Sequence, residues 1–123
     1  MIEEASTDRI LKCAVSVHRA LGPGLTEYSY QAAFALELQA QCVPFVREPI
    51  FAVRYRDVLV GWHKPDFIVE NAVVVELKAV TVMTPVFNKQ LLTYLRVTGL
   101  RIGLLLNFNV ASMGHDGIRR FVL

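Results

Sequence analysis

The stretch from Ala72 to Val80 constrains this chain most. It opens on Val73-Val74-Val75, three β-branched residues in a row. Such residues are stiff in a helix and pack well on a pleated surface. An apolar run without polar alternation fits a strand covered on both faces. A sheet covered that way calls for helices on either side. The same run then carries Glu76 and Lys78, charged residues that a buried strand rarely holds unless they are paired.

Patterns elsewhere supply the flanking elements. The spacing of Ile10, Ala14, Val17 and Leu21 predicts a first helix over Thr7–Leu21, capped by Ser6 or Thr7. Gly22-Pro23-Gly24 ends it. A second helix is predicted from Thr26, its N-cap, to Gln41, with Tyr30, Ala33, Phe34 and Leu38 as its apolar stripe. Phe45 to Tyr55 reads as one extended segment, interrupted at Pro49 by an edge or a bulge. Further strands are expected over Val58–Trp62, Asp66–Val69 and Ala72–Val80, the last two joined at Glu70-Asn71. Thr84-Pro85 opens a third helix that runs to Thr98 and stops at Gly99. Arg101–Phe108 and Ile118–Val122 complete the set. The order α-α-β-β-β-β-α-β-β predicts an α/β fold, a mixed sheet flanked by helices.

A length of 123 residues suits a single domain, 1–123. The 54% hydrophobic content implies a filled core, with apolar surface left over for a second copy in a homodimer. A net charge of +2 is too small for a protein that coats duplex nucleic acid, though a site rich in carboxylates would mask a basic surface. Cys13 and Cys42 both lie in apolar helical patterns and read as reduced, buried thiols. Glu3 and Glu4 follow Met1-Ile2, without the basic and apolar regions expected of a leader, and no apolar run approaches membrane-spanning length. The expected compartment is the cytoplasm.

Chemistry concentrates between Pro65 and Lys78. A Pro-Asp pair alone is usually a turn, and Glu-x-Lys on a strand is usually a solvated face. A hairpin centred on Asn71 pairs positions whose numbers add to 142, which sets Asp66 opposite Glu76. Cβ atoms so opposed lie roughly 5 Å apart. Lys78 shares the face of Glu76 because side chains alternate along a strand. Two opposed carboxylates destabilise a plain hairpin, and a divalent cation between them removes the conflict. Hard oxygen donors suit Mg²⁺ or Mn²⁺, with the Leu77 carbonyl as a further ligand. The whole reading depends on register, since a slip of one residue separates the set.

Several segments resemble one known family. Gly24-Leu25-Thr26-Glu27-Tyr28-Ser29-Tyr30 matches the GxxExxY signature, and Val17 to Leu25 is typical of its lead-in. Val75 to Val80, Gln90 to Leu95 and Gly103 to Phe108 follow in the expected order. The GxxExxY family is similar to the PD-(D/E)XK nucleases, whose fold is a restriction-endonuclease-like mixed sheet. The resemblance implies that Asp66 and Glu76 bind the metal and that Lys78 is the motif lysine. It implies that Glu27 is a helical acid at the site. Spacing alone would give Glu27 a helix-stabilising role in the first turn. Gln90 and Tyr94 resemble a QxxxY pair that contacts the site or the nucleic acid, and Tyr94 is equally compatible with core packing. Tyr30 packs, with its hydroxyl free to reach a site carboxylate. Lys64 stands where many relatives place an arginine, so it keeps the charge and loses the bidentate fork for substrate phosphate. His18 reads as structural, and His63 as exposed or supporting.

Two readings from different classes follow. One is a Mg²⁺-dependent nuclease that cleaves phosphodiester bonds in DNA, ahead of RNA. The alternative is a catalytically silent module of the same fold that binds nucleic acid or protein. No zinc finger, helix-turn-helix or aromatic platform for single strands is visible in the sequence, so substrate preference is not legible.

Overall fold

A computed structural model describes residues 2–123. The chain forms α1 (Ile2–Leu21), α2 (Glu27–Ala40), β1 (Phe45–Arg47), β2 (Phe51–Tyr55), β3 (Val58–His63), β4 (Phe67–Val69), β5 (Val73–Lys78), α3 (Pro85–Thr98), β6 (Ile102–Asn107), α4 (Met113–Asp116) and β7 (Ile118–Val122). Five strands make one mixed sheet in the order β1-β4-β5-β6-β7, and β2 and β3 pair apart from it. The pair β5–β6 is parallel, and α3 is the crossover between its strands.

Alternation along the central strands divides the core in two. Phe67, Val69, Val73, Val75 and Leu77 face the layer of α1 and α2, with Ile10, Phe34 and Leu38. Ile68, Val74 and Leu105 face α3, with Leu91, Tyr94 and Leu95. Each fully buried Val, Leu or Phe favours the folded state by roughly 1.5–3 kcal/mol. The valine run thus fixes β5 at the centre, with side chains buried on both faces as its composition predicts.

Differences from the predicted elements have local causes. The first helix begins at Ile2, ahead of the expected cap. Glu3 and Glu4 favour its N-terminus, and Thr7 Oγ1 donates back to the Glu3 carbonyl inside the helix. Thr26 does cap α2, accepting from Ser29 N at 3.3 Å. The segment 45–55 is not one strand. Glu48 adopts φ +52, and the chain leaves the main sheet before β2. The short α4 was absent from the sequence reading. Both cysteines are free, but Cys42 is exposed, at φ +56 just past α2. Among the described residues no helix is long and apolar enough to cross a membrane.

Candidate functional site

The hairpin β4–β5 turns at Glu70 and Asn71, which have φ of +53 and +52, and Ala72 N closes onto Val69 O at 3.1 Å. Its register pairs Phe67 with Val75, Ile68 with Val74 and Val69 with Val73. Continuing it by one residue brings Asp66 opposite Glu76. Glu76 lies on the face of Val74, toward α3, while Asp66 stands just before β4 at the end of the sheet, in reach of Leu77 N and of Gln31 on α2.

Each carboxylate anchors the other's strand. Glu76 Oε1 accepts from Asp66 N at 2.7 Å, and Asp66 Oδ2 accepts from Leu77 N at 2.8 Å. Glu76 is 4% exposed, so almost no water solvates its charge. Burial, and next the charge of Asp66, push the Glu76 carboxyl up to about 8. Burial is also the main cause that raises Asp66, opposed by the Leu77 N–H. Two acids held this close, each raised above its ordinary range, form a pair that wants positive charge.

Lys78 supplies part of it. Its Nζ lies 4.0 Å from Glu76 Oε2, donates to Gln90 Oε1 at 3.4 Å and stands 4.6 Å from the Phe87 ring centroid. Gln90 Nε2 then donates to the Tyr94 hydroxyl at 3.1 Å. Gln90 and Tyr94 are four apart on α3 and so share a face. Burial and then the charges of Glu76 and Asp66 push Tyr94 up to about 12, which keeps its proton in place. The Tyr94 ring sits in the core cluster under α3 while its hydroxyl accepts from Gln90. His63 meets the edge of that ring, with centroids 5.6 Å apart.

Other expected residues sit at varying distance from the pair. Glu27 is exposed in the first turn of α2, and its charge raises both Asp66 and Glu76. Among the described residues no group of three or more His, Cys, Asp or Glu is close enough together to hold an ion. Lys64 is exposed, 3.9 Å from Glu48. The Tyr30 hydroxyl does not reach a site carboxylate. It donates to Gly22 O and accepts from Leu25 N at 3.1 Å, while the ring stacks on Phe108 at 4.8 Å. Gly22 at φ +67 and Gly24 at φ +103 make the turn that this hydroxyl closes. His18 is structural, its Nε2 donating to Val110 O at 2.8 Å.

Two residues at the site escaped the sequence reading. Gln31 Nε2 donates to Asp66 Oδ1 at 3.3 Å, and Gln31 Oε1 accepts from Arg47 Nη2 at 2.9 Å. This buried amide brings a guanidinium up behind the first acid. Gln31 lies one turn beyond Glu27 on the same helix face, and that spacing was the available signal. Arg47 had none, because its place beside Gln31 depends on the pairing of β1 with β4.

The donors fit a hard divalent cation. Two carboxylates meet across the hairpin with their charges in conflict, and a carbonyl is positioned beside them. Leu77 N points to Asp66, while the Lys78 carbonyl accepts from Phe108 N on the opposite side. Alternation therefore turns the Leu77 carbonyl toward Asp66 as well. The register sets it opposite Pro65, which has no N–H to give. The family model described as PD-(D/E)XK nuclease superfamily matches residues 4–121. No curated relative and no solved structure matches the chain.

Proposed function

Since the chain belongs to the PD-(D/E)XK nuclease superfamily, we propose that it hydrolyses phosphodiester bonds in nucleic acid, DNA ahead of RNA, with Mg²⁺ or Mn²⁺. Its five-stranded mixed sheet flanked by helices is a restriction-endonuclease-like arrangement. Within the superfamily we place it in the GxxExxY family, as one domain, on Gly24, Glu27 and Tyr30. The observation that carries the reading is the buried pair Asp66 and Glu76 with Lys78 Nζ 4.0 Å from Glu76.

In this reading Asp66, Glu76 and the Leu77 carbonyl hold the cation. A bound divalent cation lowers the pKa of water and neutralises charge on a phosphate. Lys78 faces the same spot and stabilises the negative charge that develops there. Gln90 fixes the Lys78 ammonium from α3, and Tyr94 fixes Gln90. Gln31 holds Asp66 in its orientation and keeps Arg47 close. Glu27 lies outside direct contact and acts on the pair through its charge, or on the attacking water from the helix end. Lys64, beside Glu48, and Arg47, bonded to Gln31, are the cations that would meet the substrate phosphates.

The test is cleavage of single-stranded, duplex and branched DNA, and of RNA, by the purified chain with Mg²⁺ or Mn²⁺. Asp66→Ala and Lys78→Ala are expected to abolish the metal-dependent product. Saturable binding without turnover, unchanged by Glu76→Ala, would sink the enzyme reading and favour a silent binding module.

A further inference from the structure

We propose that the β2–β3 hairpin is a self-association surface, occupied by the same hairpin of a second copy of the chain. Among the described strands β2 and β3 pair only with each other. One side of the ribbon is seated, because Phe51 packs on the α3 cluster and His63 meets Tyr94. The rest projects. Two strands alone are marginal in water.

The composition of the projecting part is unusual for a free surface. Val58-Leu59-Val60-Gly61-Trp62 has no charge, and the outer edge of β3 carries neither lysine nor proline; its one irregularity is a bulge at Val60, opposite Val53 and Arg54. Tyr55, Val58, Leu59, Val60 and Trp62 are each 42–63% exposed. Scattered exposed apolar side chains are ordinary, but five on one hairpin are a contact surface. Over the two faces of the ribbon they expose on the order of 600 Å² per copy, against the roughly 800 Å² per partner that a standard stable dimer buries.

Charge and direction favour a second copy over nucleic acid. From Ile50 to His63 the only Asp, Glu, Lys or Arg residues are Arg54, Arg56 and Asp57, too few cations to neutralise a run of phosphates. Trp62 stands opposite Ala52, and Tyr55 lies three residues beyond Ala52 on the same strand. The two rings therefore lie on opposite faces and form no single stacking platform. Edge-to-edge antiparallel pairing of β3 with its symmetry mate sets apolar side chains of the two copies beside one another on each face. It also satisfies the edge N–H and C=O groups, and such an interface is isologous and closes as a dimer. Asp66 follows β3 by three residues, so each particle would present two acid pairs.

Trp62 is the only tryptophan, which makes the interface directly observable. Sedimentation and tryptophan emission are measured on the full chain across a dilution series, in EDTA. The expected result is a species of twice 13.8 kDa at high concentration, with blue-shifted emission that moves red as the dimer dissociates. Val60→Lys is expected to give a monomer with red emission throughout and unchanged circular dichroism. Leu36→Lys, an exposed apolar site on α2, is expected to stay dimeric. Should Val60→Lys unfold, Val58→Thr keeps the β-branched shape and is expected to weaken the dimer about tenfold or more. A monomer at every concentration, or a dimer indifferent to these substitutions, overturns the proposal. Emission that responds only to an added single-stranded oligonucleotide overturns it too and assigns the hairpin to nucleic acid. Cleavage at Asp66 and Glu76 is scored separately, so an active monomer refutes this inference alone.

Discussion

Replacing Glu76 by glutamine should make the metal-free protein more stable at alkaline pH and no more stable at acid pH. The glutamine oxygen can still accept from Asp66 N, as Glu76 Oε1 does at 2.7 Å. What disappears is a buried negative charge beside Asp66. The Glu76 carboxyl is raised from 4.5 to about 8 in the folded chain. The unfolded chain releases that proton near pH 4.5, while the folded chain holds it to about pH 8. The unfolded state therefore binds fewer protons across this window, and stability falls as pH rises through it. The advantage is fully present below the unfolded value and gone above the folded one. At about 1.4 kcal/mol per unit the loss is on the order of 3–5 kcal/mol, a large share of a typical domain's stability. Urea unfolding followed by circular dichroism, with EDTA, at the two ends of the window measures it. Wild type should lose this amount between them, while Glu76→Gln stays much flatter and ends the more stable. Mn²⁺ should restore wild type at the alkaline end and leave the variant unmoved, since a ligand stabilises only the state that binds it. Equal pH slopes for the two proteins would refute the reasoning, because Glu76 would then titrate as an ordinary carboxylate.

Two further outcomes test separate parts of the structure. Lys78→Met should lower kcat by about 10²–10³ in the cleavage assay, the usual cost of losing one charge-stabilising donor. Its unfolding midpoint in EDTA should fall, because the ammonium 4.0 Å from Glu76 and 4.6 Å from the Phe87 ring centroid is gone. Tyr30→Phe removes the hydroxyl that joins Gly22 O to Leu25 N and should cost about 1–3 kcal/mol of stability. Its metal response should stay intact, and loss of that response would place Tyr30 at the acid pair instead.

The register of the acid hairpin was legible because two local signals agree. The valine run permits one central strand, and Glu70-Asn71 is the polar break beside it. Glu70 and Asn71 both adopt left-handed backbone, the conformation asparagine tolerates best among residues with a side chain. Docking was less legible. Nothing in residues 45–55 states that β1 joins the main sheet while β2 leaves it, since an apolar extended segment serves either purpose. Gln31 was hidden for the same reason. On α2 it reads as an ordinary polar residue until the helix is laid against the end of β4. Glu27 was legible as a charge near the site, but its distance from the pair was not, because that distance is set by the Gly22–Gly24 turn.

Asn107 has a mechanical consequence. Its side chain accepts from Val80 N at 3.1 Å and donates to Val80 O at 3.0 Å, while the Lys78 carbonyl is held by Phe108 N. The exit of β5 is thus riveted to the neighbouring strand for two residues past the lysine. Any swing of α3 has to be absorbed between Thr81 and Thr84, a leash of four residues. Leu91, Tyr94 and Leu95 pack α3 on Ile68, Val74 and Leu105, and with the exit of β5 pinned this packing keeps Gln90 within reach of the ammonium it steadies.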